Sequence, residues 1–146
     1  MRAPSSADSP VATPSDARRR PARCLWLTLA DPEPRHNGQY VYSGGLIDAV
    51  AEAGGTVEVL GLGRSEQAQP GCLRAREVVW WLPTDVPHSH WGSLTSSLPH
   101  VAYRCRTAGM QGILDKLLKR DAWDGIVFDG ISTGWALQQV LDHYAG

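Results

Sequence analysis

The chain holds 146 residues and 15.9 kDa, enough for one domain with one core and too few for two. Its net charge of -1 and pI near 6.5 give no electrostatic case for nucleic acid or an anionic membrane. Hydrophobic residues make up 42%, a globular share, and no apolar run approaches the ~20 residues that span a bilayer. Cys24, Cys72 and Cys105 are odd in number and outside any CxxC pattern, so buried free thiols in a reducing cytoplasm are expected.

Residues 1–22 are rich in proline, serine and alanine and carry the run Arg18-Arg19-Arg20. They have nothing with which to build a core, so a disordered leader is expected there. A mis-assigned start would explain them equally well. The domain proper is expected over residues 23–146.

Arg23–Ala30 is an apolar run of strand formers. Pro32 and Pro34 close it, since each lacks an amide donor and fixes φ. Asn37 and Gly38 lead into a helix over residues 39–53, with Leu46, Ala49, Val50 and Ala53 inward and Asp48 and Glu52 outward. Gly44 and Gly45 each cost roughly 1 kcal/mol in a helix relative to Ala, which points to a close approach or to a frayed first turn. Residues 56–60 alternate as a second strand, and residues 77–82 form a third, ended by Pro83.

Between those two strands, residues 63–76 lack a helical period, which leaves an antiparallel pairing or an irregular crossover open. Residues 83–103 form a long connection with His88, His90 and His100, a length that marks functional or disordered loops. A second helix follows over residues 107–120, with Met110, Ile113, Leu114, Leu117 and Leu118 on one face. Residues 124–129 read as a buried parallel strand. A last helix spans residues 133–144, capped by Ser132 or Thr133, with Leu137, Val140, Leu141 and Tyr144 inward.

This alternation is that of an α/β protein: a Rossmann-like, parallel or mostly parallel sheet of about four strands flanked by helices. Right-handed crossovers favour the strand order 3-2-1-4. The connections after the first and fourth strands then leave on opposite faces, and a crevice opens at their carboxyl ends. Residues 31–38 and 129–133 line it. Gly38 would let an anionic ligand reach the amides at the start of the first helix, and Asp129 would accept hydrogen bonds from sugar or ribose hydroxyls. Asn37 and Gln39 flank Gly38 as further candidate binding residues.

Asn37-Gly38 before a helix, then Ala53-Gly54-Gly55-Thr56-Val57-Glu58-Val59, resembles the opening of family 4 glycosyltransferases of GT-B architecture. The run Trp123-Asp124-Gly125-Ile126-Val127-Phe128-Asp129 followed by Gly134-Trp135-Ala136-Leu137 is similar to the same amino-terminal domain. The family shows a glycine pair where this chain has Asn37-Gly38. The resemblance implies transfer of a sugar from a nucleotide-diphosphate-sugar donor to an acceptor, with retention and without a bound metal or other cofactor. It also implies a carboxyl-terminal GT-B domain, holding the nucleotide and paired glutamates, that is missing from this chain. A truncated fragment, inactive alone, is therefore expected.

Other signals are weaker. His88 and His90 with Asp85 lack a third clear metal ligand. Ser43-Gly44 lacks the context of a hydrolase nucleophile, and Gly61-Leu62-Gly63 falls short of a dinucleotide fingerprint. Trp26, Trp80, Trp81, Trp123 and Trp135 fall in core elements, which leaves Trp91 as a possible acceptor platform. Arg104 and Arg106 read as solvated helix-entry charges. The competing functional class is a non-catalytic α/β ligand-binding module or half of a split protein.

Overall fold

The structure, a computed structural model, describes residues 20–63, 72–74 and 78–145. Its elements are β1 (Arg23–Ala30), α1 (Gly38–Glu52), β2 (Thr56–Leu62), β3 (Cys72–Arg74), β4 (Val78–Trp81), α2 (His100–Cys105), α3 (Ala108–Arg120), β5 (Gly125–Phe128) and α4 (Leu137–Ala145). Short 3-10 turns at Trp91–Thr95 and Ile131–Ala136 precede α2 and α4. Most of the stretch expected to be a leader lies outside the described residues. Its residues 20–22 run into the sheet, where the Thr56 amide donates to the Ala22 carbonyl at 2.8 Å.

The sheet order is β3-β4-β2-β1-β5. Four strands, β4, β2, β1 and β5, run parallel, in the order expected from right-handed crossovers. β4 pairs parallel with β2, which settles the pairing left open for the third strand. The antiparallel partner is instead β3, three residues inside the segment expected to be loop.

Alternation along the strands builds two cores. Trp26, Val57, Val59, Val78 and Trp80 face Ile47 of α1. Leu25, Leu27, Leu60 and Leu62 face the other way, onto α2, α3 and α4. Fully burying each such aliphatic side chain contributes about 1.5–3 kcal/mol. Trp26, Trp80, Trp123 and Trp135 are buried, Trp81 is half-buried and Trp91 is exposed. No helix among the described residues is long and apolar enough to cross a membrane.

Three faces differ from expectation. α1 buries Ser43, Gly44 and Ile47 rather than Leu46, which is 37% exposed. Small residues occupy the inward stripe, so apolar spacing alone shifts the face by one position. β5 is only half-buried, because it is an edge strand with a neighbour on one side. In α4, Val140 is buried while Leu137, Leu141 and Tyr144 are about half-exposed. The inward residues at this corner come from the preceding 3-10 turn, where Ser132, Thr133, Trp135 and Ala136 are buried.

Among the cysteines, Cys105 is buried and Cys24 half-buried, both free. Burial pushes both thiols up, which makes them poor nucleophiles. The side chain of Cys72 lies outside the described residues.

Candidate functional site

The connections after β1 and β5 do leave on opposite faces, α1 packing on one side of the sheet and α4 on the other. The crevice between them is built from short-range chemistry. The Asp31 amide donates to the Leu62 carbonyl at 3.0 Å, and Asp31 Oδ1 accepts from the Glu33 amide at 3.0 Å. Asp31 is thus 7% exposed and spent on shaping the loop. Arg35 bonds Glu33 and Asp48, each at 2.8 Å. The Asp48 hydrogen bond leads in raising its already high pKa. The Arg35 guanidinium lies on Gly44, where a Cβ would come within 2.6 Å of Nε. Close approach of this side chain therefore accounts for the glycine inside α1.

Asn37 is the N-cap of α1, with extended backbone and Oδ1 accepting from the Tyr40 amide at 3.0 Å. The Gly38 and Gln39 amides, at the first two helical positions, have no intrahelical acceptor. No acidic residue occupies the first turn. A Cβ on Gly38 would meet nothing within 4 Å, so the space beside it is open.

Across the crevice, the Asp129 amide is fixed to the Leu27 carbonyl at 2.8 Å, and Asp129 Oδ2 accepts from Trp26 Nε1 at 3.2 Å. One carboxylate oxygen is therefore engaged. Gly130 follows with φ 89° and ψ 171°, a region essentially reserved for glycine. A Cβ there would lie 3.9 Å from Gln39 Nε2, so the Gln39 carboxamide faces this turn. Thr133 donates its hydroxyl to the Gly130 carbonyl at 2.7 Å, and Gly130, not Ser132 or Thr133, holds the cap position.

The histidine-rich connection is pinned rather than loose. Asp85 Oδ2 accepts from the Gly109 amide at 2.6 Å, serving the orphan amides of α3 beside the Thr107 N-cap. His88 Nε2 lies 2.7 Å from the Arg106 carbonyl, which can only accept, so this nitrogen carries a proton. His90 Nδ1 lies 2.8 Å from His100 Nε2. Asp85, His88 and His90 thus go to different partners, and no group of three metal-ligating residues exists among the described residues. The Trp91 ring is 80% exposed.

Sequence spacing gave no sign of an ionic cluster around a buried Glu58 at the other end of the sheet. Glu58, 5% exposed, accepts from Trp81 Nε1 at 2.7 Å and from Arg120 at 2.5 Å. Arg23 bonds Asp121 at 2.6 Å, and Arg120 also meets Asp121. The only available signal was an acid, Glu58, inside an apolar strand. A groove of about 810 Å³ between α3 and α4, reached by Gln111, Asp115 and Gln139, was equally unmarked.

Comparisons of the chain with protein-family models, with curated proteins and with solved structures found no match.

Proposed function

We propose that this chain is the acceptor-side, Rossmann-like half of a GT-B glycosyltransferase acting in the cytoplasm on a nucleotide-diphosphate sugar. It works with a carboxyl-terminal domain that supplies the nucleotide site and the catalytic carboxylates. The reversal of strand order between β1 and β5, with the open amino end of α1 set against the glycine turn at Gly130, supports this reading. Ligands of open α/β sheets sit at such switch points.

In this reading the Gly38 and Gln39 amides meet a donor phosphate oxygen, favoured by the helix dipole. Asp129 presents its second carboxylate oxygen to a sugar hydroxyl, while the Trp26 indole holds the first. The Gln39 carboxamide and the exposed Trp91 ring add contacts for donor or acceptor. No residue of this chain is assigned as nucleophile or general base.

Gly38→Val separates ligand contact from folding, because the open space beside Gly38 accepts the side chain. The test combines the chain with a supplied GT-B carboxyl-terminal domain and screens nucleotide-sugar donors for transfer. Activity in the combined sample alone, with at least a tenfold loss in Gly38→Val and an unchanged melting curve, is the expected result. Equal turnover in the variant would remove the assigned role of the loop.

A further inference from the structure

On the sheet face that carries α2, α3 and α4, the carboxyl ends of β1 and β2 leave a cavity of about 230 Å³. Leu29 and Leu62 form one part of its wall, Pro87 another, and Val101 and Cys105 of α2 a third. The wall is almost entirely carbon. An aliphatic cavity of ~150 Å³ already takes a benzene-sized guest.

His100 and Arg104 also line the cavity, through carbon, and their polar ends differ in what they have left to give. Both ring nitrogens of His100 are engaged, Nδ1 at 2.7 Å from Ser93 Oγ and Nε2 at 2.8 Å from His90 Nδ1. Arg104 donates Nε to the His88 carbonyl at 3.2 Å, which steadies the guanidinium plane. Arg20, Arg23, Arg35 and Arg120 each sit against a carboxylate. Arg104 has no carboxylate partner among the described residues. A guanidinium anchored at Nε, with its terminal nitrogens unpaired among the described residues, is set to take a carboxylate at those nitrogens.

We propose that this cavity binds a small amphipathic carboxylate, with its alkyl or aryl body against Leu29, Leu62 and Val101 and its charged end on Arg104. The cavity supplies area and the arginine supplies charge selection, a combination usual in small-molecule sites. The site lies off the crevice at Gly38 and stands or falls separately from the glycosyltransferase reading.

The test is calorimetry on the full chain with octanoate, with octanol as the uncharged probe and acetate as the charge without a body. Octanoate is expected to bind saturably at one site, about tenfold more tightly than octanol, in line with one charge-assisted hydrogen-bonded contact. Acetate is expected not to bind. Arg104→Gln should bring octanoate down to the octanol level. Val101→Phe should abolish binding of both by filling the cavity from a position that is 43% exposed. Circular dichroism and melting curves establish that both variants are folded. If Val101→Phe does not fold, the Arg104→Gln comparison decides alone. Equal binding of octanoate and octanol, octanoate binding unchanged in Arg104→Gln or surviving in a folded Val101→Phe, or no saturable binding at all would each overturn the proposal.

Discussion

The two ends of the sheet use similar residues to opposite effect. Towards the amino end, Arg23, Glu58, Arg120 and Asp121 are bonded to one another, and the two guanidinium groups lie over the rings of Trp123 and Trp81 at 5.0 and 5.6 Å. At the carboxyl end Arg35 is paired with Glu33 and Asp48, but Arg104 has no carboxylate partner among the described residues, Gly38 faces open space, and Val86, Trp91 and Leu94 are exposed. Charges that pair internally hold a fold together. Charges and amides left unpaired are free for a ligand. The comparison predicts that substitutions at the amino end change stability and those at the carboxyl end change binding.

The largest expected effect is at Glu58. Glu58→Ala removes the acceptor of the Trp81 indole and leaves Arg120 with Asp121 alone, and should lower stability by about 1–3 kcal/mol, read from urea denaturation at neutral pH. A loss near zero would mean that solvent already screens the cluster. The carboxyl end has structural exceptions, Gly130 among them. Gly130→Ala forces a side chain into the region at φ 89° and should cost about 1–3 kcal/mol, visible as a lower urea midpoint.

Smaller effects sharpen the contrast. Asp85→Ala removes a side-chain acceptor from the amino end of α3 and should cost about 1 kcal/mol. Arg104→Gln, with no ion pair to lose among the described residues and only an exposed hydrogen bond to the His88 carbonyl, should cost less than about 1 kcal/mol. The same denaturation series compares the two, and an Arg104 effect as large as that of Glu58 would erase the distinction between the ends.

Asp121 gives the amino-end network a pH signature. The hydrogen bond from Arg23, with further help from Arg120 and against partial desolvation, holds its carboxyl below the ordinary carboxylate range. A folded pKa below the unfolded value of ~3.9 contributes stability at pH above that value. The contribution is lost as pH falls through the folded pKa. The stability difference between parent and Asp121→Asn should therefore be flat near neutrality and shrink in acid below about pH 4. A difference that grows in acid would contradict the pairing.

The parallel strands were legible because Arg23–Ala30 and residues 124–129 are apolar runs of strand length, and handedness then fixed their order. The inward face of α1 was not, because Ser43 and Gly44 carry no hydrophobic signal. α4 was misread for the opposite reason. Leu137, Leu141 and Tyr144 have the spacing of a core stripe, but at the edge of the sheet there is too little surface to cover them. β3 is three residues long and leaves no period to detect.

The candidate site was partly legible. Asn37, Gly38, Gln39 and Asp129 were named from the strand–loop–helix pattern, and the structure brings Gln39 to the turn beside Asp129. The Trp26–Asp129 hydrogen bond and the positive-φ turn at Gly130 depend on partners about 100 residues apart or on backbone dihedrals, neither of which spacing encodes. Asp85 was weighed as a metal ligand, and its actual task at Gly109, 24 residues on, has no local signature.

The most direct measurement is an amide NMR titration of the isotopically labelled chain with nucleotide-diphosphate sugars. The account predicts saturable shifts centred on the Gly38, Gln39 and Gly130 amides and on the Trp26 indole, with the shifts lost in Gly38→Val. Shifts centred elsewhere, or a response unaltered by that substitution, would contradict a ligand site at the junction of β1 and β5.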